Sequence, residues 1–137
     1  MRVVMKEIEV STTQRLELID ITRNIEKIVE NSGISKGLVH VFVPHATAAI
    51  IANENEAGLL EDYINLIKEI FKPGGPWKHN RIDDNAHAHL AAGLIGASRS
   101  FPIVNGRLVR GTWQNIFLLE LDGPRSRRKV VVTIIGE

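Results

Sequence analysis

The chain contains no cysteine, which excludes disulfides, thiolate metal sites and cysteine nucleophiles. It also lacks long hydrophobic runs: none approaches the ~18 apolar residues that a membrane-spanning helix requires. The opening Met1-Arg2-Val3-Val4-Met5-Lys6-Glu7 becomes charged too early to provide the apolar core of a secretion signal. A cytoplasmic location is therefore expected. Neither sign of charge dominates, since 17 Lys and Arg face 16 Asp and Glu for a net charge of +1. Nothing global favours nucleic acid or an anionic membrane, and neither is expected as a partner. Repeats, low-complexity tracts and linkers are missing too, so residues 1–137 are expected to form one domain.

Within these bounds the composition is that of an ordinary globular protein, 44% hydrophobic and 24% charged, which argues against disorder. A chain of this length buries about two-thirds of its unfolded surface and needs no staple to fold.

The pattern opens on strands. Val4, Ile8 and Val10 alternate with Glu7 and Glu9, the two-residue period of a half-buried strand. Arg15 to Ile19 reads as a short strand pairing with it. The period then lengthens: Ile21, Ile25, Ile28 and Val29 form a helical stripe, which Asp20 or Thr22 can cap and Gly33 can end. Gly37 to Val43 alternates again until Pro44, which cannot donate to a ladder. His40, between Leu38 and Phe42, reads as a packed core histidine. Ala48 to Asn53 is a short buried strand.

The clearest helix spans Ala57 to Lys72, with Leu60, Tyr63, Ile64, Ile67, Ile70 and Phe71 on one face. Asn55 is a suitable cap for it. Pro73-Gly74-Gly75-Pro76 ends the helix and opens a polar loop. From Phe101 onward all is strand. Asn105-Gly106 signals a hairpin, and Trp113–Leu121 and Lys129–Ile135 are expected to complete a three-stranded meander. These last strands are apolar on both faces, more than three helices can cover. A sandwich, stacked subunits, or both would cover them.

Three of the five histidines fall within Trp77–His89, together with Asp83 and Asp84. Imidazole and carboxylate are the groups that bind cations or move protons near neutral pH. Such a concentration beside a Gly/Pro-rich loop is not required for folding, although a solvated loop with incidental histidines is the plainer reading. On a helix starting near Asn85, residues 87 and 89 lie about 200° apart. His87 then faces the core side with Leu90, Ala91 and Leu94. His89 shares a small-residue face with Ala92, Gly93 and Gly96 and is the better site candidate. His45, just beyond a strand end, can sit at a sheet edge without desolvation. Glu54 is either a dipole partner for the following helix or a general base or metal ligand. The run Arg125-Ser126-Arg127-Arg128-Lys129 is a solvated turn or an anion site. No zinc, Walker, dinucleotide or nucleophile-elbow motif is present.

Val43-Pro44-His45-Ala46-Thr47-Ala48, Asn53-Glu54-Asn55, Asp83-Asp84-Asn85-Ala86-His87-Ala88-His89 and Gly111-Thr112-Trp113-Gln114 resemble, in order and spacing, the YjbQ family. So do Ser126-Arg127-Arg128 and the terminal Gly136-Glu137. The resemblance covers essentially the whole chain. It implies an α/β (α+β) fold built on a mixed β-sandwich with about three helices, packed as a homotrimer through its sheets.

It also implies secondary thiamine-phosphate synthase activity, in which a pyrimidine methyl diphosphate joins a thiazole phosphate and pyrophosphate leaves. The family's polar positions fall on His45, Glu54, His79, Asp84, His89 and Gln114 as catalytic candidates. Thr47, Trp113, Arg127 and Arg128 are candidate contacts to a small phosphorylated metabolite. Charge on the leaving group calls for a divalent metal such as Mg²⁺, which Asp83 or Asp84 could hold, and for a cationic side chain. Trp113 could stack on a flat heterocycle or pack with Phe117 and Leu119. Two further readings stand beside the enzyme: a metal site, with Zn²⁺ on His45, His79 and His89, and a non-catalytic phosphometabolite-binding trimer. The role of His87 stays open.

Overall fold

The computed structural model describes residues 1–137. Its elements are β1 (Arg2–Val10), β2 (Glu17–Asp20), α1 (Thr22–Asn31), β3 (Gly37–Phe42), β4 (Ala48–Asn53), α2 (Ala57–Ile70), a 3₁₀ turn (Lys78–Arg81), α3 (Ala86–Ile95), β5 (Ser98–Val104), β6 (Arg107–Leu108), β7 (Asn115–Glu120) and β8 (Arg128–Gly136). Two sheets form, ordered β1-β8-β3-β5-β6 and β2-β7-β4. Every strand pair is antiparallel. The expected three helices in an α+β sandwich are present, but the sheets are not mixed.

Local chemistry places several boundaries. Asp20 Oδ1 accepts from the Thr22 backbone N–H at 2.9 Å and from its hydroxyl at 2.6 Å, closing the start of α1. Gly33, with φ +73°, follows its end, a left-handed position that glycine adopts without a Cβ penalty. Asn105 and Gly106 both have positive φ, as the hairpin between β5 and β6 demands. The cap of α2 is Glu56 rather than Asn55. Its carboxylate accepts from Gly58 N–H at 2.6 Å and Leu59 N–H at 2.9 Å. Asn55 instead donates to Asp20.

The sheets stack around one main core. Val39, Val41, Val130, Val132 and Ile134 from the five-stranded sheet meet Ile50, Ile116 and Leu118 from the three-stranded one, while Ile25 and Val29 of α1 pack into the same cluster. The other face of the small sheet, through Ala49, Leu119 and Leu121, packs against Ile67 of α2 and Ala88, Ala91 and Ala92 of α3. The molecule is thus layered: large sheet, small sheet, helices.

This layering corrects three expectations. The C-terminal strands do not form a meander. β7 lies in the centre of the small sheet and β8 returns to the large one between β1 and β3. The physical reason is burial: β7 has a layer on both sides and is buried from Ile116 to Glu120. β8, by contrast, alternates buried with less buried residues. The second strand pairs with β7 and not with β1. His40 is not in the core. It lies on the outward face of the large sheet, stacked on Phe42 and bonded through Nδ1 to the Ser100 hydroxyl at 2.9 Å.

That outward face is apolar near one end. Val3 pairs with Ile135, Ile135 with Leu38, and Leu38 with Pro102, making a row across four strands, with Leu38 49% exposed.

Ile50 is fully buried between the sheets. Ile50→Ala should lower unfolding free energy by about 2–5 kcal/mol and Ile50→Val by about 0.5–1.5 kcal/mol, read from urea midpoints at unchanged slope. Equal midpoints for Ile50→Ala and wild type would contradict this packing.

Candidate functional site

The strand pair β4–β7 sets the geometry. Ala48 pairs with Glu120 at one end and Asn53 with Asn115 at the other, about 17 Å apart at ~3.4 Å per residue. The candidate residues divide between these ends.

At the first end stands a buried ion pair. Glu120 is fully buried and Arg128 is 2% exposed. Arg128 Nε donates to Glu120 Oε1 at 2.9 Å, and a terminal nitrogen donates to Oε2. The same nitrogen reaches the Thr47 hydroxyl at 2.9 Å and its carbonyl at 3.1 Å. Thr12 Oγ1 donates to Glu120 at 2.7 Å and accepts from the Arg125 backbone N–H at 2.8 Å. Burial alone would raise the Glu120 carboxyl. The hydrogen bonds from Arg128, Thr12 and the Asp122 N–H outweigh it and hold the group below its ordinary value of 4.5. Thr47 and Arg128, candidate substrate contacts in the sequence, are therefore engaged inside the protein.

His45 sits beside this pair, partly buried. Its Nε2 accepts from the Lys129 backbone N–H at 3.0 Å, so the neutral ring carries its proton on Nδ1. Burial pushes its pKa down, and the nearby cations Arg128, Arg125 and Lys129 add to this against an opposing Glu120. Arg127 lies exposed in the same loop.

His79, on the 3₁₀ turn, and His89, on α3, meet edge to face with ring centroids 4.7 Å apart. Asn85 orients the first. It is buried, it donates through Nδ2 to Asp122 at 2.9 Å, and its Oδ1 lies 3.2 Å from His79 Nε2. With the amide oxygen facing it, His79 Nε2 is the protonated nitrogen, which leaves Nδ1 of the neutral ring as an acceptor. Asp122 is further held by Arg125 at 3.0 Å and Arg15 at 3.4 Å. Asp83 and Asp84 are exposed. The Asp83 carboxyl is held below its ordinary value chiefly by the Asp84 N–H it accepts, with the His79 and His89 imidazoles helping. The two imidazoles give this corner groups that can accept or donate a proton. His87 points the opposite way and is 6% exposed, but the expected core face is corrected: Leu90 is 41% and Leu94 77% exposed, and the helix packs through Ala88, Ala91 and Ala92, whose small side chains let it lie close on the sheet. Its pKa is lowered by burial and by Arg15, against Asp122 and Asp84.

The second end holds Glu54, Trp113 and Gln114. A cavity of about 440 Å³ is lined by Glu54, Asn55, Glu56, Thr112, Trp113 and Asn115. Trp113 is 71% exposed and does not pack with Phe117 and Leu119. Gln114 turns its amide back, accepting from the Gly111 N–H at 2.7 Å. A Cβ at Gly111 would lie 2.9 Å from that amide oxygen and would displace the Gln114 side chain. Next to this cavity Asp20 accepts from Thr22, Asn115 and Asn55. Burial opposes these bonds, yet they hold its carboxyl below the ordinary value.

The proposed metal ligands can now be tested on geometry. No group of three His, Asp or Glu side chains is placed to hold a metal ion. His79 and His89 meet, but His45 Nε2 is occupied by a backbone N–H. Within one chain the three imidazoles do not form a metal centre. Sequence reading also missed several polar residues: Asn85, which orients His79, Asp122, which anchors Asn85, and Asp20 and Glu120. Glu120 did leave a signal, being the one charge in the apolar run Ile116–Leu121.

Two stacked antiparallel sheets with helices over the smaller one, and polar sites at both ends of a central strand pair, define the protein's structural class. Residues 6–137 match the family model described as UPF0047 protein YjbQ-like, and the chain belongs to this family. A UPF0047 protein of Methanothermobacter thermautotrophicus is 44% identical over 137 residues, covering 100% of this chain and 95% of the relative. UPF0047 protein YugU of Bacillus subtilis is 38% identical, covering 90% of this chain and 94% of the relative. Among solved structures, a YbjQ-like protein of unknown function from Sulfolobus solfataricus superposes with a TM-score of 0.98 at 59% identity, covering 99% of each chain. A hypothetical protein from Aeropyrum pernix gives 0.95 at 48% identity, covering 98% of this chain and 99% of the other. No helix is long and apolar enough to cross a membrane.

Glu120→Ala leaves the Arg128 guanidinium buried without its counter-ion, which should cost about 3–5 kcal/mol. Adding Arg128→Met should restore most of that in urea unfolding. The wild-type contribution is complete above pH 4.5 and is lost as pH falls below it, because the unfolded carboxyl takes up its proton first. A Glu120→Gln variant with the wild-type acid profile would contradict this assignment.

Proposed function

We propose that this protein binds a small phosphorylated metabolite at its histidine- and arginine-rich end and acts there as a thiamine-phosphate-synthase-type transferase. The observation that carries the reading is the setting of His45, seated on the Lys129 backbone among Arg125, Arg128 and Lys129, with exposed Arg127 in the same loop. An imidazole held by a backbone N–H, with its Nδ1–H free and the unpaired Arg127 and Lys129 in the same loop, suits a phosphate or diphosphate group, which accepts hydrogen bonds and carries negative charge. The particular reaction comes from family resemblance. The thiazole ring nitrogen forms a bond to the pyrimidine methylene carbon, the carbon–oxygen bond to diphosphate breaks, and pyrophosphate leaves with the electron pair. Arg127 and the Lys129 side chain would stabilise the charge that develops on that group.

The same reading includes a homotrimer. The exposed row Val3, Ile135, Leu38 and Pro102 gives a second copy an apolar surface to cover. A cyclic assembly sets one surface of a subunit against a different surface of its neighbour. The Glu54–Trp113–Gln114 end of one subunit would then complete the histidine end of the next, joining two groups that a single chain holds apart.

Supplied with both phosphorylated precursors and Mg²⁺, the protein should release pyrophosphate. His45→Ala and Arg127→Ala should each slow release by at least about tenfold. Equal rates in the wild type and both variants would sink the reading.

Light scattering should give three times the 15.3 kDa chain mass. Leu38→Lys, which buries a charge in the subunit contact, should give the mass of one chain. A wild-type protein that runs as a monomer at every concentration would overturn the trimer.

A further inference from the structure

The residues leading into β2, α2 and α3 line a half-open pocket of about 310 Å³ that borders the histidine end of the β4–β7 pair through Arg15, which meets Asp122. We propose that it binds a small organic anion: one phosphate or carboxylate head on an apolar body no larger than a single ring. The resemblance assigns this pocket no role, and the inference is independent of the reading above.

Three observations converge. The first is an unpaired polar atom. His87 lines the pocket and is 6% exposed, and its Nδ1 is the one buried side-chain nitrogen or oxygen in the chain that has no hydrogen-bond partner. Buried polar groups are almost always paired, and this nitrogen is sealed behind the pocket surface, so a ligand reaches it only when the imidazole turns toward the cavity. The second is charge. Arg15 and Lys68 both line the pocket. Arg15 meets only Asp122, at 3.4 Å through Oδ1, the oxygen that Arg125 and Asn85 leave free. Lys68 enters none of the chain's ion pairs. One unpaired lysine and one singly paired arginine on one small cavity attract an anion. The third is the character of the walls. Leu16, Ile64 and Pro73 offer apolar surface, and Gln14 adds an amide. A few convergent polar groups in an otherwise apolar concavity is the pattern of a small-molecule site, and this volume lies at the low end of the roughly 300–1,000 Å³ range.

The assignment also accounts for two histidines separated by one residue. His89 faces His79 on one side of α3, while His87 lines the half-open pocket on the other. One helix turn therefore serves two different sites.

Phenyl phosphate is a suitable probe and inorganic phosphate its control. Calorimetry on the full chain should give one phenyl phosphate per chain, with inorganic phosphate at least about tenfold weaker for want of the apolar contact. Long-range ¹H–¹⁵N spectra should show the His87 ring resonances moving on binding while those of His79 and His89 stay in place. Lys68→Ala changes an exposed residue and should fold normally while weakening phenyl phosphate by about tenfold or more. His87→Gln should weaken it as well. The proposal falls if millimolar phenyl phosphate gives no binding, if Lys68→Ala binds it as tightly as wild type, or if the ring that responds is His79 or His89.

Discussion

The arrangement of this protein depends on a buried pair of opposite charges, Glu120 and Arg128. Each charge in that interior would be strongly unfavourable alone, so the four segments that satisfy them are held in one geometry. Glu120 ends the central strand of the small sheet, and Arg128 begins β8, which lies between β1 and β3 in the large one. Thr47 leads into β4, and Thr12 follows β1. The pair therefore connects both sheets at one end of the sandwich. It also positions what surrounds it. The segment between Glu120 and Arg128 begins and ends at the two partners, His45 rests on the residue after Arg128, and Asp122 orients Asn85 and through it His79.

This anchoring explains why polar candidates that are close in sequence have different fates. Arg127 and Arg128 are neighbours, but alternation along the chain turns one outward and the other into the ion pair. His87 and His89 are separated by one residue, and helical rotation gives one a half-open pocket and the other a surface partner. Side-chain type sets what each group can do. Its direction from the backbone determines where it does it.

Much of the fold was legible because hydrophobic period is a local property. The helical stripe from Ile21 to Val29, the Asn105-Gly106 turn, the buried Ala48–Asn53 strand and the end of α2 before Pro73 follow from neighbouring residues alone. Strand pairing did not, because pairing is a contact between distant residues and carries no local mark. β2 and β8 each have a plausible neighbour in sequence order, and both pair elsewhere. His40 misled for a related reason. Alternation shows that Leu38, His40 and Phe42 share a face, but it cannot show whether that face is inside. Of the candidate site, the residue types and the contrast between His87 and His89 were legible. The separation of Glu54, Trp113 and Gln114 from the histidines was not, because it depends on which way β4 runs through the molecule.

The sequence by itself determined family membership, the α+β class, the absence of thiol chemistry and the short list of polar residues available for function, since all of these reside in residue identity and spacing. Tertiary structure alone decided that β7 and β8 lie in different sheets, that Arg128 is sealed against Glu120, that His79 meets His89 without His45, and that His87 borders a half-open pocket. Those are distances between residues far apart in the chain, and only the packing of two sheets and three helices into one volume assigns them.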